Sequence, residues 1–178
     1  MMREATKSMS NVGRKGRSFD RIKDPDLARL AEIAVEDRKQ FFSDHPEWRS
    51  IYANRILCTA LCQGAAEHYV NGLVGINDFD VYTFYAAHPA RHWYAKRKKH
   101  WDFGDAKFGQ SVDKPLLVGR RVDLMGRELL ASPGDDPVVA VQRYLLTRQT
   151  KTARLLAHKA VVLLAPARFR GRVVWPIE

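Results

Sequence analysis

Residues 76–85 read Ile-Asn-Asp-Phe-Asp-Val-Tyr-Thr-Phe-Tyr, and their alternation restricts the possible folds more than any other segment. A period of two predicts a strand over Ile76–Tyr85, with Ile76, Asp78, Asp80 and Tyr82 on one face and Phe79, Val81 and Thr83 on the other. Strand interiors disfavour aspartate, yet Asp80 stands between Phe79 and Val81, and Asp78 precedes Phe79. Two carboxylates on one strand face repel each other and raise each other's pKa; a bound cation relieves the conflict. Oxygen-only ligands suit Mg2+ or Mn2+, which bind through a few carboxylates, waters and substrate phosphates. A third acid, Asp123, sits in the apolar frame Val122-Asp123-Leu124, where a neighbouring strand would complete the cluster. An Asp-x-Asp pair also occurs on solvated faces and at turn caps. The apolar flanks distinguish this one, because such local conflicts tend to mark functional positions.

The segments around the pair predict the fold class. Residues 1–20 form a basic, Gly/Ser-containing stretch expected to be a flexible arm, and residues 21–178 are expected to form a single domain. Asp24-Pro25 starts a helix, with Asp24 as N-cap; its apolar spacing runs to about Phe42, and Asp44-His45-Pro46 stops it. A strand follows at Arg55–Cys62. Gln63-Gly64 then turns the chain into a short helix, Ala65–Asn71, closed by Gly72. After the acidic strand comes a long basic-aromatic segment over 86–118, then a strand at Arg121–Leu124. Helices are expected at Pro137–Leu146 and Thr152–Leu164, before a tail ending Val173-Val174-Trp175-Pro176. This order indicates an α/β (α+β mixed) domain, a small mixed sheet flanked by helices.

Charge and cysteine usage narrow the setting. The formal net charge of +10 favours polyanionic partners such as nucleic acid or nucleotides, although it also serves solubility. Cys58 and Cys62 are the only cysteines. Four residues apart on a strand they lie roughly 13 Å from each other, beyond disulfide reach, so they read as small core residues in a reducing, cytoplasmic setting. The longest apolar run, near Ala160–Pro166, is too short to span a bilayer, and no membrane partner is expected.

Two basic regions are candidate contacts. Residues 91–109 interleave Arg91, Lys96, Arg97, Lys98, Lys99 and Lys107 with Trp93, Tyr94, Trp101, Phe103 and Phe108. That composition suits nucleotide or nucleic-acid contact, and equally a helix with its charges outward. Lys107 is expected in a loop facing the acids, and alternation puts Arg121, rather than Arg120, on the Asp123 side; both Lys107 and Arg121 are candidate phosphate ligands. From Arg143 to Arg172 there are eight Lys/Arg and no Asp/Glu, a candidate phosphate rim or a solvated surface. The histidines, among them His68 and His100, show no paired metal spacing.

Strand, Gln63-Gly64 turn, helix, strand with Asp78 and Asp80, then a later strand with Asp123: over about residues 55–125 this order resembles the DNA polymerase β-like nucleotidyltransferases. The resemblance implies that the turn holds a triphosphate at a helix N-terminus. It also implies that Asp78, Asp80 and Asp123 bind Mg2+ (or Mn2+) and act catalytically, with Gln63, Gly64, Lys107 and Arg121 around the phosphates. The expected reaction moves a nucleotidyl group from an NTP to a hydroxyl of an acceptor, a nucleic acid or a protein. The family's Gly-Gly or Gly-Ser step is Gln63-Gly64-Ala65 here. A non-catalytic nucleic-acid-binding module on the same fold is the alternative. A metal-dependent nuclease ranks behind both, because no Asp-x-Lys pattern follows Asp80.

Overall fold

The computed structural model describes residues 16–93 and 98–177. Its helices are α1 (Asp24–Asp44), α2 (Pro46–Tyr52), α3 (Gln63–Asn71), α4 (Pro137–Thr147) and α5 (Lys151–Leu156). Its strands are β1 (Ile56–Cys62), β2 (Phe79–Ala86), β3 (Lys98–Asp102), β4 (Arg121–Leu129), β5 (Val161–Ala165) and β6 (Val173–Trp175). The strands form one mixed sheet in the order β3-β4-β2-β1-β5-β6. Only β2 and β4 run parallel; the other neighbouring pairs are antiparallel. The fold is therefore mixed α/β, a mixed sheet flanked by helices, as expected.

Alternation divides the core between the two faces of the sheet. Leu61, Phe79, Val81, Val122, Leu124, Val162 and Leu164 pack with Leu27, Leu30 and Ile33 of α1 and with Ala65 and Ala66 of α3. On the other face Ala60, Cys62, Tyr82, Phe84, Met125 and Leu163 pack with Val138, Val141 and Leu145 of α4 and with Leu156 of α5. Each large apolar side chain so buried contributes about 1.5–3 kcal/mol. Cys58 and Cys62 are free and buried, and burial pushes the Cys58 thiol up to about 12.

Several boundaries differ from the sequence reading. Lys23, not Asp24, is the N-cap of α1, and its backbone N–H donates to the Asp26 carboxylate at 2.7 Å. The strand predicted over Ile76–Tyr85 begins only at Phe79; Ile76 instead forms an isolated bridge with Ser18. That bridge ties residues 18–20, expected in the arm, to the body of the domain, and His68 Nε2 meets the Asp20 carbonyl at 3.2 Å. Residues 1–15 lie outside the described residues. The basic-aromatic segment contains β3, which hydrogen-bonds along β4. The helix predicted over Thr152–Leu164 is wrong in its second half. α5 ends at Leu156 and Val161–Ala165 is β5, because the remaining edge of β1 takes a strand there and the run is buried on both faces. No described helix is long and apolar enough to cross a membrane.

Candidate functional site

Sheet register sets Asp80 and Asp123 side by side, with Asp78 just before β2. Asp80 on β2 pairs with Asp123 on β4 and with Cys62 on β1. Cys62 is followed by Gln63, so the chain leaves the sheet into α3 beside Asp80. Gln63 holds φ +60°, a left-handed conformation that costs a side-chain-bearing residue more than glycine. Its Nε2 is buried and finds no hydrogen-bond partner among the described residues. At Gly64 a Cβ would meet nothing within 4 Å, so the space over the first turn of α3 is open. Gln63, Gly64, Asp78 and Asp80 line one cleft of about 350 Å3 on the α5 side of the sheet. Arg17, Tyr82, Met125, Leu155 and Lys159 are among its other walls. Burial raises the Tyr82 phenol above its ordinary value, so it remains a protonated donor there.

Arg121 sits among the carboxylates. Its Nη2 donates to Asp78 Oδ2 at 2.5 Å, its Nη1 donates to Asp113 Oδ2 at 3.2 Å, and its Nε lies 3.2 Å from Asp123 Oδ1. Burial acts against this charge, but the Asp78 hydrogen bond and the fields of Asp123, Asp78 and Asp113 outweigh it, raising the guanidinium pKa. Asp123 is only 1% exposed and also meets His100 Nδ1 of β3 at 2.5 Å. Arg120 points away. It is buried, donates from Nε to the Phe108 carbonyl at 2.7 Å, and burial lowers its pKa.

The three carboxylates match a hard divalent cation in donor type. Among the described residues, however, no three His, Cys, Asp or Glu side chains converge as a metal-holding group. Between Asp78 and Asp123 the positive charge is that of Arg121. Lys107 does not line the cleft; it pairs with Asp26 at the N-terminus of α1 at 2.7 Å, on the opposite face of the sheet. His68 is likewise structural, with its Nδ1 accepting from the Gly75 N–H at 3.1 Å.

Sequence reasoning did not single out His100, Asp113 or Arg17, and it placed Lys159 only within the basic run from Arg143 to Arg172. His100 lies in Lys-Lys-His-Trp-Asp, which has no apolar alternation to reveal a strand. Arg17 reaches the cleft through the Ser18–Ile76 bridge, a long-range pairing without a local signal.

No family model matches this chain, and neither does any curated protein or solved structure.

Proposed function

We propose that the cleft binds a nucleoside triphosphate and transfers its nucleotidyl group to an acceptor hydroxyl. The observation that carries this reading is the meeting of the Gln63-Gly64 turn with Asp78 and Asp80 in one cleft, beside Asp123 in matched register. The open first turn of α3 offers backbone N–H groups to phosphate oxygens. Arg17 and Lys159, rather than Lys107, are the cations placed to offset triphosphate charge. Of the three acids, Asp78 and Asp80 line the cleft and would hold Mg2+ or Mn2+, whose charge would offset that of the phosphates and of the departing pyrophosphate. Arg121 holds Asp78 and Asp123 in place. His100, its Nδ1 on Asp123, would be the base that takes the proton of the acceptor hydroxyl. An oxygen–phosphorus bond to the acceptor then forms as the bond to pyrophosphate breaks.

Isothermal titration with each NTP in Mg2+ buffer tests this on the parent, Asp80→Ala and Gly64→Ala. We expect saturable binding by the parent and at least a tenfold weaker affinity for both variants. Gly64→Ala should keep the parent's thermal midpoint, because its Cβ meets no neighbour. Absence of binding by the parent, or undiminished binding by Asp80→Ala, overturns the reading. A second reading, nucleic-acid binding without chemistry, is favoured by one observation: Arg121 already neutralises the acids that the reaction needs.

A further inference from the structure

The other face of the sheet carries a cationic groove unrelated to the acids. Val35, Arg38, Lys39 and Phe42 follow helical i, i+3, i+4, i+7 spacing and form one stripe on α1. Together with Arg49 of α2 and Ile56 at the start of β1, they line a groove of about 380 Å3. Among the described residues, no Asp or Glu contributes to its lining.

Arg38 is the unusual member. Its Nη1 reaches down to the sheet and donates to Thr59 Oγ1 and Thr83 Oγ1, each at 3.1 Å. These threonines are register partners on β1 and β2, so the guanidinium is held by two fixed hydroxyls. Burial lowers its pKa, with Tyr85 and the neighbouring Asp37 acting the other way. Asp37 is itself buried and accepts the Trp101 indole N–H at 3.0 Å. A guanidinium has five N–H donors, and the threonines engage only one of its nitrogens. Arg49 is exposed, whereas Lys39 bonds Glu36 at 2.8 Å on the outer surface of α1. A partly buried guanidinium, fixed in place with donors to spare, is suited to a planar or tetrahedral oxyanion.

We propose that this groove is a binding site for a phosphate monoester, with Arg38, Lys39 and Arg49 on the phosphate and Phe42 and Ile56 against its organic group. Phosphate chemistry fits a groove lined by Arg38, Lys39 and Arg49, and the apolar wall distinguishes the ester from free phosphate. The site lies on the α1 face, whereas Asp80 faces α5, so it stands or falls apart from the nucleotidyl-transfer reading.

Amide chemical-shift titrations of the full chain with inorganic phosphate and with phenyl phosphate, at constant ionic strength, test the proposal. Saturable shifts are expected at residues 35–43 and 49–56, with phenyl phosphate binding more tightly. Lys39→Ala/Arg49→Ala changes two exposed residues and should keep the fold while weakening phenyl phosphate at least tenfold. Asp80→Ala should bind it as the parent does. Shifts confined to the Gln63–Asp80 face, unchanged affinity in the double variant, or phenyl phosphate binding no tighter than free phosphate each overturn it.

Discussion

Three carboxylates meet at Arg121, and its removal has a defined consequence. Arg121→Ala takes the guanidinium from between Asp78, Asp113 and the 1%-exposed Asp123, while His100 stays on Asp123. Losing one partner of such a pair costs about 3 kcal/mol, because a charge is left uncompensated away from water. The variant should therefore melt well below the parent. It should also recover more of its melting temperature on addition of Mg2+ than the parent gains, since a divalent ion can replace the missing charge. Equal stability of the two proteins would show that the acids do not depend on Arg121, and an equal response to Mg2+ would remove the acids as a cation site. Among single residues, the shared side of Asp80, Asp123 and Arg121 was legible in sequence, because strand alternation fixes the side of the sheet on which a residue lies. Lys107 was not: its partner Asp26 is 81 positions away, and no local period reports so distant a pairing. Asp113 escaped because it reaches Arg121 from an irregular connection, which has no period to read.

Between β3 and β4 the chain runs through residues 103–120 before re-entering the sheet at Arg121, and this connection positions Arg121 and Asp113. Asp102 anchors it by accepting the backbone N–H groups of Gly104 at 2.9 Å, Val118 at 2.6 Å and Gly119 at 2.8 Å. The two ends touch so closely that a Cβ on Gly119 would lie 1.9 Å from the Gly104 carbonyl oxygen. Burial opposes the Asp102 charge, but the three N–H donors prevail and depress its pKa. A carboxyl whose folded pKa is lowered contributes stability that is complete above its unfolded value of about 3.9 and is lost as pH falls through the folded value. Asp102→Asn should thus cost about 1–2 kcal/mol at neutral pH and less near pH 2. Urea midpoints at the two pH values check this; an equal loss at both would mean that the charge is not what holds the loop. Elements of this kind divide by how well they show in sequence. β2 and α1 carry clear periods, whereas β3 is polar and β5 is a short apolar run that a helix or a strand can satisfy equally. Sheet pairing with β4 and β1, a tertiary matter, decided both.

At the level of the whole molecule the net charge of +10 is unevenly placed. Arg154 and Lys159 are exposed on α5 and on the loop after it, and that loop supplies Lys159 to the wall of the acidic cleft. Arg143, Arg148, Lys151, Arg168 and Arg172 are exposed along the same acid-free stretch. This run is plain in the sequence, but its position is not, because Val161–Ala165 must first return the chain from α5 to the sheet beside β1. A basic surface that reaches the cleft at Lys159 would guide a polynucleotide acceptor toward it, or bind one without chemistry. Either way association would release counterions, so log affinity should fall linearly with log salt, by about 0.7–0.9 per neutralised phosphate. Fluorescence anisotropy of a labelled single-stranded oligonucleotide between about 50 and 200 mM salt measures that slope. Arg154→Ala/Lys159→Ala should reduce it by about 1.4, about 0.7 for each phosphate that the two cations neutralise on a single strand. A slope near zero would remove nucleic acid as a partner, and an unchanged slope in the double variant would move the nucleic acid away from the cleft. Retention of the slope in Asp78→Asn/Asp80→Asn, together with absent NTP binding by the parent, would favour the binding module over the transferase.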